Sequence, residues 1–300
     1  MKALAFIKEL RAPFFTATVV PVLLGGTIAF SHGIFHIQYF LLALIGAIFL
    51  HAGTNVINDY FDFLSKDDLL VEIKTPFSGG SGILPAGLLK PKEVFIFSLI
   101  LFLIGSIIGL YLTFVRGAFI LLIGVVAVFS GIFYSAPPVS LANRGIGELF
   151  VGLNFGPLCA LGSYYVLSQE ISFEPIYASI PVGILIATVL YINEFPDYSA
   201  DKQVGKRHLV VRLGKEKAVR GYALLFLVTY LFIFAGVIIK ILPMYSLLAM
   251  ATAPYAVKAV KIAKKYYEDT VNLIPAMGLT IRIHLLTGLL LSISYLLEAL

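Results

Sequence analysis

The stretch that decides the fold lies between Val94 and Val115 and reads VFIFSLILFLIGSIIGLYLTFV, without one charged side chain. At about 1.5 Å of rise per residue, a helix of this length crosses the hydrocarbon core of a bilayer. Comparable apolar runs extend from Ala118 to Tyr134 and from Ala218 to Ile239. Repeated runs of this length predict helices that cross a membrane several times.

The composition agrees with this interpretation. The chain has 300 residues, of which 59% are hydrophobic and 13% are charged. A soluble domain usually carries about twice that charged share. The single cysteine, Cys159, excludes an intramolecular disulfide. The formal net charge is +5. In a membrane protein such an excess commonly reflects Lys and Arg in the loops on the cytoplasmic side, so we predict the lipid bilayer rather than a nucleic acid as partner.

The loops between the apolar segments differ in charge. Those after the first, third, fifth and seventh segments are short and almost uncharged, whereas those after the second, fourth, sixth and eighth are longer and contain Lys or Arg. If the N-terminus and the even-numbered loops share one side, every Lys and Arg lies there except Arg116 and Lys240. Because positive residues favour the cytoplasmic side, this bias predicts a cytoplasmic N-terminus and a C-terminus outside.

We therefore predict an all-α integral membrane protein of the cell membrane. It is expected to be a single domain over residues 1–300 and to form a bundle of nine transmembrane helices. The predicted segments are residues 13–30, 37–57, 93–114, 118–135, 147–167, 174–192, 218–239, 243–262 and 277–298.

Two polar stretches follow the second and sixth segments with nearly the same spacing. The first is Asn58-x3-Asp62-x4-Asp67, and the second is Asn193-x3-Asp197-x3-Asp201. Residues four apart share one face of a helix, so each stretch presents its polar groups as a stripe. A carboxylate at the bilayer centre costs roughly 2.5–3.5 kcal/mol on insertion scales. The stripes are therefore expected to face a polar cavity at the cytoplasmic end of the bundle.

Carboxylates on facing helices repel each other unless a cation neutralises them. Ligand sets made only of oxygen favour Mg²⁺ or Ca²⁺ over zinc, and Mg²⁺ commonly binds substrate phosphate as well. Two stripes therefore indicate two Mg²⁺ ions bridged by a diphosphate. Four Asp, two Mg²⁺ and one diphosphate leave a net charge of about −3. The basic residues expected to offset it on the same face are Arg11, Lys74, Arg144, Lys202, Lys206 and Arg207.

Other residues beside the motifs are possible members of the site. They are Asn55, Asp59, Tyr60, Tyr134 and His208. His208 lies in the loop after the second motif, where it could contact phosphate. The backbone amides of Gly79-Gly80-Ser81-Gly82 could do the same, although a plain loop is an equally good interpretation. His51 and His284 are interpreted as packing or interfacial histidines.

At these positions the sequence resembles the UbiA superfamily of intramembrane prenyltransferases, which carry two Asp-rich motifs after helices two and six of a nine-helix bundle. The resemblance covers nearly the whole chain. Its finer features are similar to the branch that acts on 1,4-dihydroxy-2-naphthoate, although His208 stands where that branch usually has a threonine. These features are Leu10-Arg11-Ala12-Pro13, Val20-Pro21-Val22-Leu23-Leu24-Gly25, Asn58-Asp59-Tyr60-Phe61-Asp62, Ser78-Gly79-Gly80-Ser81-Gly82, Gly87-Leu88-Leu89, Gly205-Lys206 and Leu209-Val210-Val211-Arg212-Leu213-Gly214.

The resemblance implies transfer of a polyprenyl group from a polyprenyl diphosphate to an aromatic quinone precursor, with loss of CO₂ and diphosphate in the naphthoate branch. Metal ions and basic side chains would stabilise the departing diphosphate. An apolar tunnel would keep water away from the allylic cation. The residues expected to hold Mg²⁺ are Asp62, Asp67, Asp197, Asp201, Asn58 and Asn193, and all of these except Asp67 are also expected to be catalytic.

Two alternatives stay open at this point. The same chemistry could act on another acceptor, such as 4-hydroxybenzoate, a glycerol-phosphate ether lipid, haem or a chlorophyllide. A divalent-cation transporter could also carry two Asp stripes. However, transporters place their binding residues near the bilayer midplane, whereas these stripes lie at helix ends.

Overall fold

The structure is a computed structural model that describes residues 2–71 and 73–300. All regular elements of these residues are helical, so the predicted all-α class is confirmed for the described chain. The α-helices are α1 (Lys2–Glu9), α2 (Thr16–Ser31), α3 (Ile37–Leu64), α4 (Asp67–Leu70), α5 (Pro91–Arg116), α6 (Phe119–Phe133), α7 (Gly147–Leu153), α8 (Cys159–Ser168), α9 (Phe173–Gln203), α10 (Leu209–Leu213), α11 (Lys215–Ile238), α12 (Ala253–Tyr266) and α13 (Thr270–Glu298). There are 3₁₀ segments at Ala12–Phe15, Leu141–Arg144 and Met244–Thr252, and a π-helical turn at Asn154–Leu158.

Several helices of the described chain have the length and character of membrane spans. The 7 that are long and apolar enough to cross a bilayer are Lys2–Ser31, Ile37–Leu64, Pro91–Arg116, Gly147–Ser168, Phe173–Gln203, Lys215–Ile238 and Thr270–Glu298. α6 is apolar but shorter. Leu103, Ile107 and Phe114 of α5 are among many large apolar side chains exposed on the outer surface. An apolar surface of this extent is typical of a protein that contacts lipid, so the chain is a multi-pass membrane protein.

α3 and α9 extend beyond the ends that the sequence predicts. The predicted ends are residues 57 and 192, whereas α3 continues to Leu64 and α9 to Gln203. The apolar pattern stops at the first polar side chains, but a helix continues for as long as its backbone hydrogen bonds are made. Consequently Asn58 and Asp62, like the whole second motif, lie on continuing helices, as the predicted stripes require.

The predicted segment 243–262 begins as the 3₁₀ segment Met244–Thr252 and continues as α12. The buried residues of the 3₁₀ segment are Ser246, Ala249 and Thr252. Their spacing of three matches the three-residue turn of a 3₁₀ helix, which places all of them on one face. Thr252 Oγ1 lies 2.9 Å from Thr287 Oγ1 of α13. This face therefore packs against α13 with a buried hydrogen bond.

The helical stretch from α7 to α8 is interrupted by the π-helical turn. Pro157 lies inside this turn, and because proline has no N–H it cannot make the regular helical hydrogen bond. Gly156 of the turn packs directly on Gly183 of α9, since a Cβ on Gly156 would lie 2.7 Å from Gly183 Cα. This close approach fixes the position of α9, which carries the second motif.

Candidate active site

A cavity of about 780 Å³ lies inside the bundle. Apolar side chains from α3, α5, α6 and α8 line much of its wall. Both polar motifs line one end of it, through Asn58, Asp62, Asp67, Asn193, Asp197 and Asp201. A long apolar cavity with one polar end suits an amphiphilic ligand whose charged head binds among the motifs.

Asn58 and Asp62 of the first motif lie in the last turns of α3, and Asp67 is the first residue of α4. Asn58 Nδ2 donates to Asp62 Oδ2 at 3.0 Å, one helical turn further on, and to Ser135 Oγ at 2.7 Å. Asn55 also lines the cavity, and its Nδ2 donates to the carbonyl of Leu10 at 3.0 Å. Asn58 therefore orients the Asp62 carboxylate, while Asn55 ties α3 to the segment that precedes α2.

The second motif occupies the last turns of α9. Asp197 Oδ2 accepts the backbone N–H of Gly79 at 3.2 Å. Asp201 Oδ2 lies 3.0 Å from His208 Nε2. The two Asp side chains are therefore held by different loops. Asp197 is held by the loop of residues 78–82, called the glycine-rich loop below, and Asp201 is held by the loop after α9.

Lys206 joins the two motifs. Its Nζ lies 2.9 Å from Asp62 Oδ1 and 3.4 Å from Asp201 Oδ1, and it also pairs with Asp67. The turn after α9, with Gly205 at a φ of +83°, directs Lys206 back towards the helix ends. Burial disfavours the ammonium, but the three carboxylates raise the pKa of Lys206 well above its usual value. The two motifs thus lie at the same end of the bundle and share one cation.

The oxygen atoms at this end fit a hard divalent cation. Carboxylate and amide oxygens are the ligands that Mg²⁺ prefers. The Oδ1 atoms of Asp67, Asn193 and Asp197 are buried and have no hydrogen-bond partner among the described residues, an arrangement that is costly unless a cation is bound. Burial and neighbouring carboxylates raise the pKa of Asp67 to about 7 against the opposing effect of Lys206. A bound divalent cation would remove this repulsion.

Two buried glutamates that the sequence does not single out lie beside the second motif. His208 Nδ1 lies 3.1 Å from Glu194 Oε2 and its Nε2 lies 3.0 Å from Asp201 Oδ2. Burial opposes protonation, but these contacts raise the pKa of His208 to about 10. Glu148 Oε1 accepts the N–H of Leu209 at 2.7 Å, and ligand atoms of Glu148, Glu194 and His208 lie within 4.8 Å of one another. Glu194 directly follows Asn193, the first residue of the second motif. An acidic residue in an apolar stretch of a membrane protein is commonly functional, so this position was the signal in the sequence that could have identified Glu194.

The predicted basic residues differ in where they lie. Arg11 and Lys206 line the cavity, whereas Lys74, Arg144, Lys202 and Arg207 do not. Arg144 instead donates from Nε and Nη2 to the carbonyls of Val139, at 2.5 Å, and Pro138, at 2.9 Å. Lys202 is exposed, with its Nζ 5.7 Å from the centroid of the Tyr198 ring. Lys74 and Arg207 are exposed as well.

The remaining candidates also separate. Tyr134 and His208 line the cavity, whereas Asp59 and Tyr60 do not. Tyr60 packs on Phe95, with ring centroids 5.0 Å apart. His51 also lines the cavity, where its Nδ1 lies 2.7 Å from Thr18 Oγ1. His51 is thus a hydrogen-bonding group in an otherwise largely apolar part of the wall.

A helical membrane protein with a carboxylate-lined end to a long internal cavity has the architecture of an intramembrane enzyme that acts on amphiphilic substrates. The sequence profile of the UbiA prenyltransferase family matches residues 18–274. The chain therefore belongs to the UbiA prenyltransferase family, and it is a prenyltransferase.

Curated relatives cover nearly the whole chain. A 1,4-dihydroxy-2-naphthoate octaprenyltransferase of Bacillus subtilis (strain 168) is 30% identical over 94% of this chain and 89% of the relative. A 2-carboxy-1,4-naphthoquinone phytyltransferase of Synechocystis is 28% identical over 97% of this chain and 92% of the relative. The resemblance to the naphthoate branch is therefore confirmed at the level of sequence.

Solved structures share the fold. An apo UbiA homologue from Aeropyrum pernix K1 superposes with a TM-score of 0.71 at 16% identity, covering 95% of this chain and 98% of the other. A UbiA homologue from Archaeoglobus fulgidus bound to DMAPP and Mg²⁺ superposes with a TM-score of 0.65 at 18% identity, with the same coverage of 95% and 98%. At this identity the likeness concerns the fold alone.

Proposed function

We propose that the protein transfers a polyprenyl group from a polyprenyl diphosphate to an aromatic quinone precursor in a Mg²⁺-dependent reaction. The proposed acceptor is 1,4-dihydroxy-2-naphthoate, which loses its carboxylate as CO₂ while diphosphate leaves the prenyl donor, a step of menaquinone biosynthesis. The observation that carries the proposal is the convergence of two Asp motifs at the polar end of a long apolar cavity. The names of the Bacillus and Synechocystis relatives support the acceptor.

The diphosphate head would bind at the polar end of the cavity. The proposed ligands of two Mg²⁺ ions are Asp62, Asp67, Asp197, Asp201, Asn58 and Asn193. Bound Mg²⁺ would supply stabilisation of the diphosphate as a leaving group. Lys206 and Arg11 line the same cavity and would offset the negative charge that the diphosphate gains as it departs. Asn58 would hold Asp62 in the orientation that its hydrogen bond sets.

The apolar part of the cavity would hold the prenyl chain. Side chains of α5 and α6 line it, and apolar walls exclude the water that would otherwise quench an allylic cation. The aromatic acceptor would need hydrogen-bonding groups within reach of the diphosphate end. Asn55 lines the cavity about one turn before Asn58 on α3 and would meet this need. Thr18 and His51 also line the cavity, further from the motifs.

We also propose the membrane arrangement and the extent of the domain. Nine crossings, with the N-terminus in the cytoplasm and the C-terminus outside, are supported by the helical character of all nine predicted segments and by the one-sided distribution of Lys and Arg. In this arrangement the motif end of the cavity faces the cytoplasm. Residues 1–300 would then form one catalytic domain.

The site assignment is tested with purified protein in detergent, a prenyl diphosphate, the naphthoate and Mg²⁺. Asp62→Asn and Asp197→Asn are each expected to lower kcat/KM by about 100-fold or more, because each removes a charged oxygen donor from the metal–diphosphate site. The prenylated product, measured by mass spectrometry, should show the loss of CO₂.

The matched control is Glu93→Gln. Glu93 pairs with Lys2 at the surface, with Nζ 2.7 Å from Oε1, and does not line the cavity, so this variant should retain wild-type activity. Wild-type rates in both Asp variants would contradict the site. A product that keeps the acceptor's carboxylate, or one formed only from 4-hydroxybenzoate, would contradict the proposed acceptor while leaving the prenyl transfer intact.

A further inference from the structure

Asp59 follows Asn58 directly in the first motif but turns away from the cavity. It is 2% exposed and does not line the cavity that its neighbours Asn58 and Asp62 line. Its Oδ2 accepts the backbone N–H of Ser81 at 2.8 Å. The carboxylate that the sequence offers as a possible member of the site is therefore bound to a loop.

That loop is compact, and its first residues are held by Thr75. Thr75 Oγ1 accepts the N–H groups of Phe77, at 3.1 Å, and Ser78, at 2.9 Å. Gly79 and Gly80 follow with φ values of +80° and +65°, a conformation that other residues rarely adopt. The chain thus turns so that alternate amides face different partners.

The two partners belong to different motifs. The N–H of Ser81 is bound by Asp59 of α3, and the N–H of Gly79 is bound by Asp197 of α9. The two residues that link these helices are only two positions apart in the loop. A shift of the loop away from Asp59 would therefore move the group that orients Asp197.

Asp59 also contacts the segment before α2. Its Oδ1 lies 3.5 Å from Arg11 Nη1, and Arg11 lines the cavity. A buried carboxylate that contacts both an amide of the loop and a guanidinium is costly to remove, because the amide loses its acceptor and the guanidinium loses its counter-charge.

We propose that Asp59 is a positioning residue: through Ser81 it fixes the glycine-rich loop, and through Gly79 it orients the Asp197 carboxylate. It does not bind the metal itself. The inference rests on the proposed Mg²⁺-dependent prenyl transfer for its kinetic consequence, but the contact with Ser81 has a consequence that can be measured without activity.

The kinetic test compares substitution by Asn with substitution by Ala, first at Asp59 and then at Asp62. Asp59→Asn and Asp59→Ala both lose the charge that faces Arg11, but the side-chain carbonyl of Asn can still accept the Ser81 N–H. Asp59→Asn should therefore recover most of the activity that Asp59→Ala loses. Asp59→Ala is expected to lower kcat/KM for the prenyl diphosphate by about 10- to 100-fold and to raise the Mg²⁺ concentration at half-maximal rate, as for other groups that orient metal ligands. At Asp62 the amide should not rescue: Asp62→Asn should be as impaired as Asp62→Ala.

The structural test is hydrogen exchange of the peptide covering residues 75–82 in detergent. Exchange should be faster in Asp59→Ala than in wild-type protein, and unchanged in Asp59→Asn. If Asp59→Ala does not fold, the comparison of Asp59→Asn with Asp62→Asn still decides. An Asp59→Asn variant as inactive as Asp62→Asn, or an Asp59→Ala variant with wild-type kinetics and exchange, would overturn the inference. Inactive wild-type protein with the expected exchange pattern would instead count against the proposed function.

Discussion

Lys206 is the residue on which the charge balance of the site depends. Its ammonium contacts carboxylates from both motifs, so one side chain offsets repulsion between helices that are far apart in sequence. The same position would bring it near a diphosphate bound among those carboxylates. In the proposed reaction Lys206 would therefore serve both the stability of this end of the bundle and the binding of the diphosphate.

Lys206→Met is expected to lower the melting temperature in EDTA, because removing one partner of a buried ion pair costs about 3–5 kcal/mol. Mg²⁺ should restore more stability to the variant than to wild-type protein, since a divalent cation can neutralise the same carboxylates. Thermal unfolding in detergent, with and without Mg²⁺, measures both effects.

Lys202→Met is the matched control, because Lys202 is exposed and lies outside the cavity. It should change neither the melting temperature nor its dependence on Mg²⁺. Equal responses of the two variants to Mg²⁺ would contradict the role assigned to Lys206.

The residues of the two motifs could be predicted from the sequence because their spacing repeats. The inward-facing cations could not. Charge counting shows that basic residues are needed, but it does not distinguish Lys206 from Arg207, which is its neighbour and is exposed. Only the turn at Gly205 and the contacts with Asp62 and Asp201 decide between them. Asp59 illustrates the same point, since a helix turns adjacent side chains towards different surroundings.

At the scale of elements, the packing of α9 positions the second motif. Gly183 of α9 lies against Gly152 and Gly156, in α7 and the π-helical turn. These contacts are between backbones, so there is no side chain that could move to make room. The interface is therefore sensitive to a single methyl group.

Gly183→Ala is expected to destabilise the protein by about 1–3 kcal/mol, because the new Cβ would collide with the carbonyl oxygen of Gly152. Prenyl transfer should fall as well, since α9 must shift. Denaturation in mixed micelles together with the activity assay measures both. Gly124→Ala is the control for stability alone, because Gly124 lines the cavity. A Cβ there meets nothing within 4 Å, so its stability should not decrease. A Gly183→Ala variant as stable as wild type would contradict the packing argument.

The sequence predicts where helices occur more reliably than what kind of helix they form. Each of the nine apolar segments is helical in the structure, because length and apolarity are properties of the local chain. The 3₁₀ segment at Met244–Thr252 depends on packing against α13, and the π-helical turn depends on Pro157 within a close contact with α9. Hydropathy does not show that α13 packs on the first segment or that α9 packs on the second.

At the scale of the whole molecule, the bundle places a charged site at one end of an apolar cavity of about 780 Å³. The polar end can bind a diphosphate only if α3 and α9 bring their carboxylates to the same ligand. The contacts of Lys206 and of the glycine-rich loop span this junction. The central claim is therefore that two distant parts of the chain form one metal–diphosphate site.

Binding of a prenyl thiolodiphosphate, whose sulfur linkage resists ionisation, tests this claim most directly. Calorimetry in detergent should show Mg²⁺-dependent binding to wild-type protein, an affinity about 10- to 100-fold lower in Asp62→Asn or Asp197→Asn, and a combined loss in the double variant that is not the sum of the two, because both residues act on one ligand. Binding that persists in EDTA, or an Asp197→Asn variant that binds like wild type while Asp62→Asn does not, would contradict a site shared by the two motifs.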